Sequence, residues 1–412
     1  LLACFASKLA CFASVKGAFP PYIENMNYRN FGKLDWKASA LGLGCMRLPT
    51  DTGDWLSPNV DEQKAIELIR TAIDSGVNYI DTAYPYHNGN SEIIVGKALR
   101  NGYREKVHLA TKCPSWLMET TDAFDRILDE QLKKLQTDSV DFYLIHALNK
   151  IWWHDLILKN HILSRAEAAL KDGRIKHLGF SFHDQSEVFH EILNGYDGWS
   201  FCQIQYNYMN TNTQAGTRGL KAAAEKGLAV VIMEPLLGGR LANPPKVIKT
   251  LLDNAPGKPS AADLALQWLW DQPEVSVVLS GMSNMKQLQE NLSSASHSSA
   301  NSLTPAQRAL IAQAQKIYAE RTQIPCTKCS YCQPCPNGVN IPFCFEIYND
   351  AFLHEDMATA RMWYEIFLGN GARGKNADAC IGCRDCESRC PQKIPISEWM
   401  PKVHEFLSAP AA

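Results

Sequence analysis

No uncharged apolar run in this 412-residue chain approaches the roughly 18 residues that suggest a membrane span, so a membrane partner is not expected. Nor is there a long basic block, and the formal net charge is −2, which argues against nucleic acid as the main partner. No positive charge precedes the apolar start, as it would in a secretory signal. The motif G-x-G-x-x-G does not follow the first strand-like run, which speaks against a doubly wound dinucleotide fold. A flavin-binding signature is also lacking. What remains is a globular composition, 46% hydrophobic and 20% charged, in a chain long enough for one large domain and a smaller one.

Cysteine is abundant, and eight of the fourteen fall in two short runs. The first is Cys326, Cys329, Cys332 and Cys335 followed by Pro336; the second is Cys380, Cys383, Cys386 and Cys390 followed by Pro391. Three thiolates at three-residue spacing wrap one face of an iron–sulfur cube, and the Cys-Pro directs the fourth toward a neighbouring cluster. Two such runs imply two [4Fe–4S] clusters. In the usual crossed arrangement Cys326, Cys329, Cys332 and Cys390 hold one, and Cys380, Cys383, Cys386 and Cys335 hold the other. The first run is one residue short before Cys335, which leaves Cys344 as an alternative ligand. Structural zinc is the competing reading, although zinc seldom needs a third cysteine at this spacing or a Cys-Pro. Thiolate-held clusters favour a reducing cytoplasm.

The N-terminus repeats itself, with LACFAS at Leu2–Ser7 and again at Leu9–Ser14. Met26 is expected to be the natural start, and residues 1–25 a non-native or disordered leader. From about residue 40 to 298, short apolar runs alternate with amphipathic stretches. Strands are expected at Leu41–Cys45, Asn78–Asp81, Val107–Lys112, Val140–His146, Ile175–Phe182, Phe201–Tyr206, Leu228–Met233 and Val275–Leu279. Their near-continuous Val, Ile, Leu and Ala suit parallel strands covered on both faces. Ala65, Leu68, Ile69, Ala72 and Ile73 form one stripe of a helix over Glu62–Ser75, and Gly76 and Gly227 fall where helices stop. Eight such units predict an α/β fold, a (β/α)8 TIM barrel over 26–300. Residues 301–412 follow as a helical linker, Thr304 to Arg321, and a mostly α-helical ferredoxin-like dicluster module. In that module Phe343, Ile347, Phe352, Met362, Trp363 and Ile366 are the expected core.

Barrels carry chemistry at the C-terminal ends of their strands. Asp81, Tyr86, Lys112 and His146 all fall there. Each alone reads as a capping, loop, solvated or core residue; together they read as a site. The segments Asp81-Thr82-Ala83-Tyr84-Pro85-Tyr86, Ala110-Thr111-Lys112, Asp141 to His146, Gln203 to Asn207 and Gly281 to Asn291 resemble the aldo/keto reductase family. The resemblance covers about 26–295, and the cysteine module resembles a branch with two ferredoxin-type clusters. It implies Tyr86 as general acid to a carbonyl, with Lys112 lowering its pKa, Asp81 holding Lys112, and His146 placing the substrate. It also implies Ser181 and Gln203 on the nicotinamide carboxamide and Glu290 and Asn291 on the adenine. Pro235, Leu236, Gly238, Gly281 and Ser283 would run along the phosphates. Departures are Phe182, Met233, Gly281 and Gln287, the last two replacing basic residues that read a 2′-phosphate in many relatives, which leaves Ser283 and Lys286. NADP(H) is expected first, with NAD(H) the alternative. Trp55, Trp116, Trp152 and Trp153 are candidate substrate walls. Three accounts of the two halves stay open: a carbonyl/alcohol oxidoreductase with clusters of structural or regulatory use, a reductase fed by a ferredoxin-like partner, and a non-catalytic redox sensor.

Overall fold

Two short strands, β1 (Tyr28–Asn30) and β2 (Lys37–Ser39), form an antiparallel hairpin ahead of eight parallel strands. These are β3 (Leu41–Gly44), β4 (Tyr79–Asp81), β5 (His108–Pro114), β6 (Val140–Leu148), β7 (Ile175–Phe182), β8 (Phe201–Gln205), β9 (Ala229–Met233) and β10 (Val275–Ser280). They close into a barrel in the order β10-β3-β4-β5-β6-β7-β8-β9. The computed structural model describes residues 26–51, 57–353, 355–369 and 373–409. The expected leader, 1–25, and Trp55 lie outside them.

The strands form where both faces are apolar, and the intervening helices bury one stripe each. Helix Glu62–Asp74 is capped by Asp61, whose carboxylate accepts from the Lys64 N–H, and buries the expected stripe of Ala65, Leu68, Ile69, Ala72 and Ile73. Gly76 ends this unit at φ +94°, a left-handed position that glycine takes without strain. The hairpin closes the N-terminal mouth of the barrel. Phe31 is fully buried there, with ring centroids 4.6 Å from Phe142 and 5.7 Å from Tyr79. Arg29 donates to the Trp270, Gln272 and Val275 carbonyls at 2.7–2.9 Å. The opposite, C-terminal mouth is left for chemistry.

A capping box starts the linker helix Pro305–Arg321, Thr304 and Gln307 satisfying each other's backbone N–H. Leu310, Ile311, Ala314 and Tyr318 pack with Tyr208, Leu241, Ile248 and Leu264 of the barrel and with Leu353 beyond it. The C-terminal module has its own core around Ile341, Phe345, Ile347, Tyr364, Met400 and Val403. Helices Ile341–Leu353, Met357–Tyr364 and Ile396–Ser408 build it. Three residues expected in that core are outside it: Met362, Trp363 and Ile366 are 51%, 42% and 47% exposed. The inward stripe is instead Ala360, Tyr364 and Leu368, four residues apart, which leaves Met362, Trp363 and Ile366 on the outward side. Among the described residues no helix is long and apolar enough to cross a membrane.

Candidate active site

The parallel register brings the C-terminal ends of β4, β5, β6 and β8 to one rim. Asp81 ends β4, Lys112 lies in β5, His146 in β6 and Gln203 in β8, while Tyr86 follows in the loop after β4. Lys112 Nζ donates to Asp81 Oδ1 at 2.5 Å, to the Thr82 carbonyl at 2.8 Å and to the Tyr86 hydroxyl at 3.4 Å. Its three protons are thus all assigned. Gln203 Nε2 reaches the other Asp81 oxygen at 3.3 Å. Behind this layer Glu92, fully buried, accepts from Thr111 at 2.7 Å and Gln131 at 2.6 Å, and Gln131 also donates to the Lys112 carbonyl. That second layer fixes the strand that carries the lysine.

Burial dominates the electrostatics. It pulls Asp81 upward and Lys112 downward against their mutual attraction. Tyr86 is held well above an ordinary phenol, first by burial and then by the Asp81 charge, which corrects the expectation that Lys112 lowers it. The lysine's charge is already matched by Asp81 at 2.5 Å, so little field is left over for the phenol. His146 is pushed well below 6.5 by burial and by Lys112, and is neutral at pH 7. Its Nε2 lies 3.4 Å from the hydroxyl of Tyr331, a residue of the first cysteine run. Ser115 donates to the His146 carbonyl.

A cavity of about 530 Å³ opens beside these groups. Asp81, Tyr86, Gln203, Pro235, Leu236, Gly238, Gly281, Ser283, Gln287, Glu290 and Asn291 all line it. Of the expected cofactor residues only Ser181 does not; it is buried in β7, where its Oγ accepts from the Ala147 N–H at 2.7 Å. Lys286 is turned outward beside Glu290, at 3.8 Å. The cavity suits a nicotinamide. Gln203 Oε1 is a buried acceptor with no partner among the described residues, as a carboxamide amine would need. Arg47, which the sequence reading missed, lines the same cavity and supplies a cation. Its side chain lies against Gly281, where a Cβ would meet it at 3.1 Å. It therefore takes the place that a side chain at 281 would fill.

Of the candidate substrate walls, Trp116 stands 5.3 Å from the His146 ring and 5.5 Å from Trp152. Trp153 is not a wall: it is 2% exposed and packs on Trp199, because the turn after β6 folds it back into the barrel's outer layer. Glu234 was also missed. It lines the cavity, its Oε2 is buried with no hydrogen-bond partner among the described residues, and burial raises it to about 7.

The cysteines fall into two sets. Cys326, Cys329, Cys332 and Cys390 line one small cavity, and Cys335, Cys380, Cys383 and Cys386 another. Cys344 lines neither; it is fully buried in helix Ile341–Leu353. Four zinc-bound sulfurs would lie about 3.8 Å apart, from a bond of about 2.3 Å. Among the described residues no three His, Cys, Asp or Glu converge on a single ion; the thiols ring their cavities instead. Burial raises Cys326 and Cys386 to about 11, so a cationic group is what would hold them as thiolates. Cys329 lines both its own cavity and the rim cavity.

Residues 40–307 match the family model described as aldo/keto reductase family, and residues 325–394 match the 4Fe-4S dicluster domain. The chain is 27% identical over 301 residues to the uncharacterized oxidoreductase YqkF of Bacillus subtilis, covering 66% of this chain and 91% of that protein. It is 35% identical over 167 residues to the aldo-keto reductase YhdN of the same organism, covering 38% of this chain and 47% of that protein. Among solved structures, the holo form of aldo-keto reductase AKR11C1 from Bacillus halodurans superimposes with a TM-score of 0.59 at 26% identity. That match covers 70% of this chain and 96% of that one.

Proposed function

The chain belongs to the aldo/keto reductase family and carries a 4Fe–4S dicluster domain, and from that premise we propose that it interconverts a carbonyl compound and its alcohol by hydride transfer. NADP(H) is the first choice of cofactor and Tyr86 the general acid. One observation carries the reading: the Asp81–Lys112–Tyr86 chain opens into the cavity lined by the cofactor residues.

A nicotinamide bound there would supply or accept the hydride. The protein's own groups do the rest. Gln203 Oε1 and Asp81 would hold the carboxamide end, Asn291 and Glu290 the far end, and Arg47 with Ser283 the phosphate side, where a cation reaching a 2′-phosphate would favour NADP(H) despite Gly281 and Gln287. His146, neutral, donates to the carbonyl oxygen and places it. Tyr86 then gives its proton to the oxygen as negative charge develops. A phenol held above its ordinary pKa still protonates an alkoxide, which is about as strong a base as hydroxide. Lys112 keeps the phenol in place and is itself held by Asp81. The expected result is that Tyr86→Phe abolishes carbonyl reduction while leaving nicotinamide affinity nearly intact. Wild-type-like turnover in that variant would take Tyr86 out of the acid role.

In this reading the two thiol sets hold two [4Fe–4S] clusters, which would supply one-electron chemistry in a reducing cytoplasm. Cys329 lines both cavities, and that favours a second reading, a reductase served by a ferredoxin-like partner. Turnover that depends on a reduced ferredoxin-type donor, with nicotinamide withheld, separates the second from the first.

A further inference from the structure

The carbonyl site of the barrel is not made by the barrel alone. Thr327, Lys328, Cys329 and Tyr331, all from the first cysteine run, line the same cavity as Asp81, Tyr86 and Gln203. Tyr331 reaches furthest in. Its hydroxyl is 3.4 Å from His146 Nε2, and its ring centroid lies 4.9 Å from that of His183 and 6.5 Å from that of His146. His146 Nδ1 is buried with no partner among the described residues, and Nε2 lies within hydrogen-bond reach of the Tyr331 hydroxyl.

We propose that Tyr331 is a substrate-binding and specificity-determining residue, a third hydrogen-bond donor to the carbonyl oxygen beside Tyr86 and His146, delivered to the barrel by the cysteine module. The inference rests on the reading of Tyr86 and His146 above. A neutral histidine carries one N–H. With the pocket free, a proton on Nε2 points at the Tyr331 oxygen. An entering carbonyl oxygen takes that N–H and frees the Tyr331 O–H to donate to the same atom. Charge that develops on the oxygen during hydride transfer then meets three donors, and donors aimed at developing charge are worth more in the transition state than in the ground state. The ring has a second consequence. Standing between His146 and His183, it roofs one side of the pocket, so a carbonyl compound with bulk on that side is excluded. The class favoured is an aldehyde, or a ketone with one flat substituent, entering edge-on beneath the phenol.

The test uses the full-length, cluster-loaded protein prepared without oxygen. Tyr331→Phe, Tyr331→Gln, Tyr331→Ala and Tyr86→Phe are compared with wild type. Isotope-edited infrared spectra report the carbonyl stretch of a carbon-13-labelled aryl ketone bound with oxidised nicotinamide, a complex that does not turn over. Each donor lowers that stretch. Tyr331→Phe is expected to raise it and to lower kcat/KM about tenfold or more, at unchanged nicotinamide affinity and iron content. Tyr331→Gln keeps a donor and should recover part of both effects, whatever the phenylalanine does to folding. Tyr331→Ala should narrow the preference for a small aliphatic aldehyde over a bulky ketone. An unshifted carbonyl stretch and a kcat/KM within about twofold of wild type in Tyr331→Phe, with selectivity unchanged in Tyr331→Ala, overturn the proposal. Tyr86→Phe is read separately: normal turnover there sinks the function proposed for Tyr86, while the infrared shift on changing Tyr331 still decides the donor.

Discussion

Lys112→Met is the most demanding test of the rim, because it removes a charge and keeps the side chain's bulk. Lys112 and Asp81 are 1% and 4% exposed at the side chain, so neither ion has water to fall back on. The ammonium serves Asp81, the Thr82 carbonyl and the Tyr86 hydroxyl at once. Methionine leaves Asp81 with only the 3.3 Å contact from Gln203 and strips the Thr82 carbonyl of its donor. Breaking a buried pair by removing one partner costs about 3–5 kcal/mol. At about 2–4 °C per kcal/mol for a domain of this size, the barrel's Tm should fall by roughly 6–20 °C. The pH trend has a definite sign. The Asp81 carboxyl, already raised by burial, rises further without its counter-ion. A raised acid binds more protons folded than unfolded, so the variant's deficit grows as pH rises above the ordinary carboxylate range. Calorimetry between about pH 5 and pH 8 reads it, with Asp81→Asn and the double variant completing the cycle. A loss below about 1 kcal/mol, or additive single losses, would refute the claim that these groups form one buried pair.

Three further outcomes follow from neighbouring contacts. Arg47→Met should weaken NADPH about tenfold or more while changing NADH less, as measured by nicotinamide fluorescence titration; equal losses would mean that Arg47 meets only the shared phosphates. Cys335→Ser should lower bound iron and alter the visible and EPR spectra, whereas Cys344→Ser should leave both unchanged, since only Cys335 faces the second thiol cavity. Glu234, raised by burial to about 7, holds a proton in the folded state that an unfolded chain releases near about 4.3. Its contribution to stability therefore falls as pH rises from about 4.3 to 7 and stays low above it, by on the order of 3 kcal/mol. Glu234→Gln should flatten that slope in denaturant titrations, and an unchanged slope would place the pKa near its ordinary value.

The barrel was legible because its signal is periodic. All eight expected strands are present, Ile175–Phe182 without a change of boundary; the others differ by one or two residues at one end, and His108–Pro114 at both. That Asp81, Tyr86, Lys112 and His146 share one rim was legible because strand ends can be found from those same runs, and that the cysteines gather into two sets because of their spacing along the chain. What stayed hidden depends on contacts that leave no local pattern. Tyr331 and His146 are 185 residues apart, and the cysteine spacing already accounted for the loop that holds the tyrosine. Arg47 follows the first barrel strand in a short 3-10 turn and looks solvated until Gly281 is seen to leave room for it. Met362, Trp363 and Ile366 misled because apolar residues lie on both sides of this segment, and the side that packs inward carries Ala360, Tyr364 and Leu368. Ser181 was placed on the right strand end, but its hydroxyl is turned to the Ala147 N–H.

The placement of the module explains why reading the two halves separately was incomplete. A barrel is free to carry additions at either mouth, and here the N-terminal mouth is sealed by Phe31 and Arg29 while the module sits over the C-terminal one. Its contacts there are polar and specific. Gln392 donates to Gln205 at 2.9 Å, Lys393 lies 3.4 Å from Asp184, and Arg240 donates to the Cys326 carbonyl at 3.2 Å. The Arg240 carbonyl in turn accepts from Tyr318 of the linker helix at 3.2 Å. The segment Thr327–Tyr331 thus has two duties: Thr327, Cys329 and Ser330 line the first cysteine cavity, and Thr327, Lys328, Cys329 and Tyr331 line the rim cavity. A change that reorganises the cysteine cavity must move the wall of the rim cavity, because Thr327 and Cys329 line both.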